Sequence, residues 1–420
     1  MKVSHGLPRA QKRSLPFRGD DTQARRFLPA HVLTLALVAA APWIIIPVAA
    51  LWRARGDPSL DHEPPADAAD SQKVTVVIPA RNEAGNIAAC VQSILMSRYP
   101  ALEIIVVDDH SADDTLAIAR AMATLDRRVR VIEAAALPNG WFGKQWACSQ
   151  GVAASSGELL CFTDADTRHG RDLLGRTAHR LRSGSLDFVS VLGRQVMLTF
   201  WERLVQPQVF AMLAMRFGGA RTVNESPRVT DKLANGQFMM ITRAAYDEVG
   251  GHAAVRDQVA EDLALAQLLF ERGKRTELVQ GRNYLSTRMY TSLGSLVRGW
   301  MKNIYAGGMR ATPFGATGRA LLPLALLAAP LASIVPVVVL ACAAFGLVTD
   351  TWLAWSIIAT AATALWWIQV YLRAPVVGAS RALRFAAIYP LGSLMLAYII
   401  ARAVVRGRRV EWRGREYVSG

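Results

Sequence analysis

The chain has 420 residues, of which 52% are hydrophobic, and its positive mean hydropathy excludes a purely soluble protein. The formal net charge of +15 comes from basic residues that concentrate near the two termini beside apolar runs, which favours a membrane surface over nucleic acid as the partner. The four cysteines are widely spaced without a C-x-x-C pair, which excludes a cysteine zinc site and predicts reduced core or lipid-facing thiols.

The chain begins with a basic segment, residues 1–29, which shows no apolar periodicity and is predicted to be disordered or interfacial. Residues 30–53 are predicted to be a transmembrane anchor. Val32–Trp52 carries no charge and, at about 1.5 Å per residue, is long enough to cross about 30 Å of hydrocarbon. A secretory signal peptide is the alternative, but its apolar region would be shorter. Residues 54–73 are polar and rich in Pro, Ala and Asp, which is typical of a linker.

A globular α/β domain is predicted over residues 74–303. Apolar and β-branched runs at residues 74–78, 102–107 and 129–132 alternate with helical patterns, and this order predicts a right-handed parallel sheet. The sequence contains neither a G-x-G-x-x-G fingerprint after the first strand nor a P-loop. Its strands end in acidic residues instead, so we expect carboxylates to form the ligand site.

Two of these carboxylates, Asp164 and Asp166, follow directly after the apolar run Leu159–Phe162. Residues two apart in an extended backbone point the same way, so the pair is predicted to converge on one hard cation, Mg²⁺ or Mn²⁺. The natural further ligands of such a cation are phosphate oxygens. The alternative is a polar turn that closes a strand.

Three features mark the second half of the domain. The Met-rich stretch Phe200–Phe217 has a helical pattern, and it is either core or an amphipathic element for a lipid acceptor. Gly236 stands in a turn before an apolar strand, where it permits a close backbone approach. Glu261 and Asp262 begin a helix, where two acids are either functional or merely favourable to the helix dipole.

Beyond a connector at residues 304–319, the composition changes to that of a membrane region. About three membrane segments are predicted over residues 320–401, because Ala320–Thr349, Trp352–Leu372 and Phe385–Ala401 carry no charge. The lack of ionisable residues in these spans argues against a transporter. A basic tail, residues 402–420, follows.

The ordered motifs PARNE (79–83), VVDDHSADDT (106–115), GWFGKQWACSQG (140–151), TDAD (163–166) and EDLALAQLLFERG (261–273) resemble those of the family 2 glycosyltransferases, which are inverting enzymes with the GT-A fold. The resemblance covers about residues 74–303. The phrases LPNGWFGKQWACSQG and STRMYTSLGSLVRGWMKN are most similar to a membrane-attached branch associated with carotenoid and hopanoid glycosylation.

The resemblance implies a role for each matching residue. The nucleotide pocket is implied to be lined by Pro79, Ala80, Asn82 and Glu83, with Asp109 beside Asp108 on the uracil or ribose. The diphosphate and its cation are implied to bind Lys144, Asp164 and Asp166, although a lysine after a glycine is often simply exposed. The acceptor side is implied to comprise Gly236, Gln237, Asp262 as general base and Glu261 in support.

One block departs from the family pattern. Its Q-x-x-R-W signature is replaced by LVRGW at residues 296–300, which argues against a processive polysaccharide synthase. Arg298, Trp300 and Lys302 remain candidates to close over the diphosphate and acceptor. The alternative for this block is an interfacial amphipathic helix, where tryptophan and basic residues are common.

The sequence therefore predicts an inner-membrane, multi-pass enzyme with a cytosolic catalytic domain. It is expected to transfer a sugar from a nucleotide sugar, UDP-linked, to a membrane lipid such as a polyprenoid, hopanoid or carotenoid. A processive synthase and a non-catalytic protein with a relict domain are the alternatives. Phe385–Ala401 has only 17 residues, and a full crossing would export the basic tail, so we expect it to be re-entrant or interfacial.

Overall fold

The computed structural model describes residue 1 and residues 28–65, 72–374, 378–407, 409–412 and 415–418. Most of the predicted basic N-terminal segment, residues 66–71 of the predicted linker and parts of the predicted basic tail lie outside the described residues.

A seven-stranded sheet forms the centre of the α/β domain, with strand order β3-β2-β1-β4-β8-β6-β9. Strands β3, β2, β1 and β4 are parallel, as predicted, whereas β8 runs antiparallel to both β4 and β6, so the sheet is mixed. A smaller sheet has the order β5-β10-β7, and β11 pairs with β12 near the C-terminus. The strands are β1 Val74–Ala80, β2 Leu102–Asp108, β3 Val129–Glu133, β4 Leu159–Phe162, β5 Thr167–His169, β6 Phe188–Leu192, β7 Arg194–Gln195, β8 Met239–Thr242, β9 Thr276–Gln280, β10 Leu285–Thr287, β11 Arg409–Trp412 and β12 Arg415–Val418.

Helices cover both faces of the large sheet, because the central strands are apolar on both sides. Val76 and Ile78 pack on one face and Val77 packs on the other, each within its own buried cluster. Gly151 lets a helix approach β1 closely, since a Cβ there would lie 2.4 Å from a Val77 methyl. The helices of the domain are α2 Ile87–Leu95, α3 Thr115–Leu125, α4 Gly143–Ala153, α5 Leu173–Ser183, α6 Phe200–Phe217, α7 Ala220–Glu225, α8 Arg243–Glu248, α9 Glu261–Glu271 and α10 Leu293–Ala311.

Part of the predicted linker is a packed strap, which we define as residues 57–63. Leu60 at its centre is fully buried in the domain core. The Asp57 carboxylate accepts hydrogen bonds from the Arg221 N–H, at 3.1 Å, and from the Gln280 amide, at 3.0 Å. Glu63 forms an ion pair with Arg180 at 3.0 Å. The strap is therefore part of the folded domain, because it packs along β9, the edge strand of the large sheet.

Four helices are long and apolar enough to cross a membrane in the part of the chain that the structure describes. They are α1 Ala30–Arg53, α11 Gly315–Ala344, α12 Asp350–Arg373 and α14 Tyr389–Arg406, with the short α13 Ala379–Ala387 before the last. The predicted segment Phe385–Ala401 is therefore divided between two helices. The break lies at Ile388, because Pro390 in the first turn of α14 lacks the N–H that would continue α13.

Helices α1 and α12 pack side by side and run in the same direction. Ala36 near the start of α1 meets Trp355 near the start of α12 in one buried cluster. Ala50 near the end of α1 and Tyr371 near the end of α12 share a second cluster with Ala211 of α6. Helix α6 therefore lies at the end of this pair that faces the α/β domain.

A buried polar network joins α6 to the membrane helices. The Gln208 amide donates to the Tyr389 carbonyl oxygen, at 2.9 Å, and accepts from the Ser393 hydroxyl, at 2.9 Å. The Tyr371 hydroxyl donates to the Leu204 carbonyl oxygen at 2.7 Å. Another face of α6 packs against α10 and α14 in an apolar cluster. Phe200–Phe217 is therefore packed core, as one of the two interpretations predicted, and its role as an element for a lipid acceptor stays a prediction.

Candidate active site

The two carboxylates after β4 stand in a turn, which corrects the extended backbone expected from the sequence. Thr167 donates to the Asp164 carbonyl oxygen from its N–H, at 3.3 Å, and from its hydroxyl, at 2.8 Å. These local bonds fold the backbone, because a threonine hydroxyl competes with the strand ladder for main-chain groups. The turn, and not strand alternation, therefore sets where Asp164 and Asp166 point.

A buried polar layer lies beneath this turn, and no pattern in the sequence predicted it. The Thr163 hydroxyl is 3.0 Å from the Thr167 hydroxyl and 3.0 Å from the His169 Nε2 atom. The His169 N–H donates to the Ser93 hydroxyl at 3.0 Å. Burial lowers the pKa of His169 to about 3, so its ring is neutral at physiological pH. These side chains position the carboxylates without facing the site.

Lys144 bridges carboxylates that come from two different elements. Its ammonium lies 2.8 Å from Asp164 Oδ1 and 2.6 Å from Glu261 Oε1. Burial acts to lower the pKa of Lys144, but the charges of Asp164 and Glu261 outweigh it and hold the pKa well above its usual value. The alternative of a merely exposed lysine does not hold, because α4 directs this side chain into the carboxylate cluster.

Asp262 is held at the N-terminus of α9 by two main-chain donors. Its Oδ2 accepts from the Gly236 N–H at 2.8 Å, and its Oδ1 accepts from the Leu263 N–H at 2.8 Å. A Cβ at Gly236 would lie 3.1 Å from the Lys144 ammonium and 3.2 Å from Asp262 Oδ2, so the glycine permits this close approach. The structure thus brings Gly236, Lys144, Glu261 and Asp262 together.

The two acids of α9 have opposite electrostatic environments. Burial and the neighbouring Glu261 charge raise the pKa of Asp262 to about 6. Burial also acts against ionisation of Glu261, but the Lys144 charge overcomes it and lowers the pKa of that carboxyl. A carboxylate whose pKa lies close to neutrality is suited to accept a proton, whereas Glu261 stays ionised beside Lys144.

Asp166 is the member of the cluster that fits a cation. Its Oδ1 atom is buried without a hydrogen-bond partner among the described residues, and burial, together with the charges of Asp164 and Glu83, raises its pKa to about 7. No group of three or more His, Cys, Asp or Glu residues among those described is arranged to hold a metal ion. The residues therefore fit Mg²⁺ or Mn²⁺ only where diphosphate oxygens supply the remaining ligands.

The predicted nucleotide residues lie where β1 and β2 end side by side. Pro79 and Ala80 close β1, and the Asp109 N–H donates to the Ala80 carbonyl oxygen at 2.8 Å. Asn82 has a positive φ of 54°, and its side-chain oxygen accepts from the Ala112 N–H at 2.8 Å. Glu83 follows and accepts from the Asn86 side chain at 2.8 Å. The ends of both strands are thereby fixed together.

The acidic run after β2 divides into two roles. The Asp108 Oδ2 atom accepts from the Ser111 N–H at 3.1 Å, while its Oδ1 atom is buried without a partner. Asp113 accepts from the Thr115 N–H at 3.1 Å, which holds the turn before α3. Asp109, beside Asp108, is buried and lies 3.8 Å from the Arg81 guanidinium.

Gln237 borders the site through its main chain more than through its side chain. Its side-chain oxygen accepts from Gln195, at 2.9 Å, and from Asn235, at 3.1 Å. Its carbonyl oxygen accepts from the Thr163 hydroxyl at 2.7 Å, which ties the turn before β8 to the strand end that carries Asp164.

The LVRGW block has a structural reason for its glycine. A Cβ at Gly299 would lie 2.2 Å from a Tyr290 ring carbon, so only glycine leaves room for this ring against α10. Arg298 is exposed, and its guanidinium lies back along α10 toward Gly294. Trp300 is buried among aromatic rings. Among the contacts of the described residues, neither Arg298 nor Trp300 reaches the carboxylate cluster.

Lys302 and Tyr290 lie closer to the cluster than Arg298 and Trp300 do. Burial lowers the pKa of Lys302, and the opposing influences on it include the charges of Glu261 and Asp164. Burial raises the pKa of Tyr290, and the nearby Asp166 charge raises it further. Tyr290 was not singled out from the sequence. The glycine one residue before Trp300 was the only signal that a bulky side chain packs there.

Comparisons with known proteins address the identity of this domain. Residues 75–250 match the family model described as glycosyl transferase family 2, which confirms the resemblance seen in the motifs. A 4,4'-diaponeurosporenoate glycosyltransferase of Staphylococcus aureus strain MRSA252 is 27% identical over 244 residues, which cover 57% of this chain. The chain spans 63% of the length of this relative.

A solved structure shares the architecture. The mannosyltransferase PcManGT of Pyrobaculum calidifontis, in complex with GDP-Man and Mn²⁺, aligns with a TM-score of 0.54 at 19% identity. The alignment covers 89% of this chain and 98% of that one. The fold is therefore that of the GT-A glycosyltransferases, with apolar helices added.

Proposed function

We propose, starting from the family 2 glycosyltransferase domain at residues 75–250, that this protein transfers a sugar with inversion from a nucleotide sugar, UDP-linked, to a membrane lipid. The observation that carries the proposal is the cluster of Asp164, Glu261 and Asp262 around Lys144. This cluster combines Asp262, a carboxylate suited to accept a proton, with Lys144 and Asp164, which are suited to bind a diphosphate and its cation.

Asp262 acts as the general base in this proposal. Inversion requires that the acceptor hydroxyl lose its proton as it attacks the anomeric carbon, and the raised pKa of Asp262 suits it to take that proton. The Gly236 and Leu263 N–H groups fix the orientation of its carboxylate. Lys144 faces the position where negative charge develops on the leaving diphosphate.

Asp164 and Asp166 would hold Mg²⁺ or Mn²⁺, and Asp108, Asp109, Pro79, Ala80, Asn82 and Glu83 would hold the nucleotide. A bound divalent cation supplies charge neutralisation for the departing diphosphate. The unpartnered Asp166 Oδ1 atom supports this assignment. In this proposal, the carboxylates of the protein orient the nucleotide sugar around the bound cation.

A lipid acceptor is supported by the packing beside the site. Tyr290 and Trp300 belong to an apolar cluster that continues through α6 and α10 to Leu396 of α14 and Leu326 of α11. An apolar cluster that connects the candidate membrane helices with the side of the domain that carries Tyr290 suits an acceptor that stays in the bilayer.

The packing of α14 supports a topology in which the basic tail stays on the cytosolic side with the catalytic domain. The Tyr389 carbonyl oxygen at the start of α14 binds Gln208 of α6, and Ala403 near its end packs in the same cluster as Trp300 of α10. A helix whose two ends both contact the catalytic domain lies along the interface. Helices α1, α11 and α12 would then be the crossing segments.

The direct test is to incubate membranes that contain the protein with a panel of labelled nucleotide sugars and to extract the lipids. We expect label from one donor in the lipid fraction, dependent on added Mg²⁺ or Mn²⁺. Label in a long polysaccharide would indicate a processive synthase. Donor binding without any transfer would indicate a relict domain.

A further inference from the structure

The side-chain amide of Gln206 on α6 is buried and makes no hydrogen bond to any described residue. Its side chain is 1% exposed, and neither its nitrogen nor its oxygen has a hydrogen-bond partner in the part of the chain that the structure describes. Gln208, two residues further on, has partners for both atoms. Leaving a buried amide unpaired is destabilising, so such a group in a packed helix indicates a place for a polar ligand.

The neighbours of Gln206 follow from the period of the helix, since residues four apart lie on one face. Glu202, one turn earlier, pairs with Arg288 at 2.9 Å. Phe210, one turn later, has its ring 5.7 Å from the Trp300 ring. Gln206 therefore faces the segment between Arg288 and Trp300.

That facing segment also carries unused donors. Trp300 is 5% exposed, and its indole Nε1 has no hydrogen-bond partner among the described residues; the same holds for the buried Arg288 Nε atom. The unpaired groups among the described residues lie on two facing elements: Gln206 and Trp300 are buried side chains, whereas Arg288 is partly exposed and its Nε atom is buried. They comprise the indole and guanidinium N–H donors and an amide that both donates and accepts.

This polar group lies between the candidate membrane helices and the carboxylates. On one side, the Trp300 ring is 5.9 Å from the Tyr290 ring, and Tyr290 lies within the electrostatic influence of Asp166. The Thr287 hydroxyl nearby donates to the Asp166 carbonyl oxygen at 3.3 Å. On the other side, the cluster that holds Trp300 includes Leu396 of α14.

We propose that Gln206 and Trp300 form a binding site for the hydroxyl end of a lipid alcohol between the bilayer and the carboxylates. The Trp300 N–H donates to the hydroxyl oxygen, and the hydroxyl donates to the Gln206 carbonyl oxygen. The apolar chain of the ligand lies along α6, α10 and α14. The class of ligand rests on the proposed function, since Asp262 as a base requires a hydroxyl acceptor.

The test uses the full-length protein in nanodiscs, without any sugar donor. A diazirine-bearing hexadecanol labels the protein on illumination, and hexadecan-1-ol or hexadecane competes. In the wild-type protein, we expect hexadecan-1-ol to compete roughly 5- to 100-fold better than hexadecane, the range for one or two hydrogen bonds. Gln206→Leu should abolish this preference, and Trp300→Phe, which keeps an aromatic ring, should reduce it.

A stability measurement separates binding from structure. Gln206→Leu should raise or preserve the unfolding temperature, because it removes unpaired buried groups, whereas the matched variant Gln208→Leu should lower it. An undiminished preference for the alcohol in Gln206→Leu, or equal competition by the two lipids in the wild type, would overturn the site. Hydroxyl-selective labelling without sugar transfer from any donor would reject the proposed function and keep the site.

Discussion

Replacing Asp262 with Asn is the sharpest test of the chemistry, because the change keeps the shape and removes the charge. The two oxygens of Asp262 each accept a main-chain N–H bond at 2.8 Å. Asparagine has one oxygen, so one of these donors loses its acceptor, at a cost of about 1–3 kcal/mol in stability. Removal of a buried carboxylate with a raised pKa acts in the opposite direction, so the variant should remain folded.

The effect on catalysis should be much larger than the effect on donor binding. Loss of a general base typically lowers the rate by about 10²–10⁴-fold, which corresponds to roughly 2.7–5.4 kcal/mol in the barrier. Donor affinity should change little, because Asp262 contacts Gly236 and Leu263 and not the Asp164–Asp166 turn. Turnover is measured as labelled sugar in extracted lipid, and affinity is measured by calorimetry with the nucleotide sugar.

The pH dependence of turnover tests the role of Asp262 independently. Because the pKa of Asp262 is raised to about 6, the fraction of ionised base increases as pH rises through that value. Wild-type turnover should therefore increase between about pH 5 and 7, and the turnover of Asp262→Asn should not show this increase. Glu271→Gln, at the exposed far end of α9, is the matched control and should behave as the wild type. Equal losses of donor affinity and turnover in Asp262→Asn would refute the assignment.

Three further predictions concern the cation, the strap and the tail. Asp166→Asn should remove most donor binding that depends on Mg²⁺ or Mn²⁺; unchanged metal-dependent calorimetry would contradict its role. Leu60→Ala should destabilise the domain by about 2–5 kcal/mol in denaturant titration, whereas exposed Leu125→Ala should not. A cysteine at Ser419 should resist an impermeant reagent in intact spheroplasts, and its modification would show that α14 crosses the membrane.

The sequence was sufficient to predict features that depend on neighbouring residues. The strand ends that carry Asp108 and Asp164 were predictable, because an apolar run that stops abruptly in acids has few structural alternatives. The helix at Glu261 was predictable from its apolar period and its acidic first turn. The apolar helices α1, α11 and α12 followed from length and charge alone, whereas the predicted segment Phe385–Ala401 did not reveal the break between α13 and α14.

Features that depend on distant contacts were not predictable. The Asp164–Asp166 turn depends on threonine hydroxyls whose competition with the strand ladder has no sequence signature. The segment around Leu60 has the composition of a linker, yet its packing depends on partners more than a hundred residues away. The burial of Trp300 depends on Tyr290, which reaches it only because Gly299 lacks a side chain.

The contact between the strap and β9 also constrains the order of folding during synthesis. Asp57 leaves the ribosome 223 residues before its partner Gln280, which at about 5–20 residues per second is a delay of roughly 10–45 seconds. During that interval α1 has been made, while Leu60 has no β9 edge to cover. The strap, which directly follows α1, can therefore pack against β9 only after most of the domain has been synthesised. Each new molecule therefore passes through a stage in which α1 has been synthesised but the domain that packs against the strap has not yet folded.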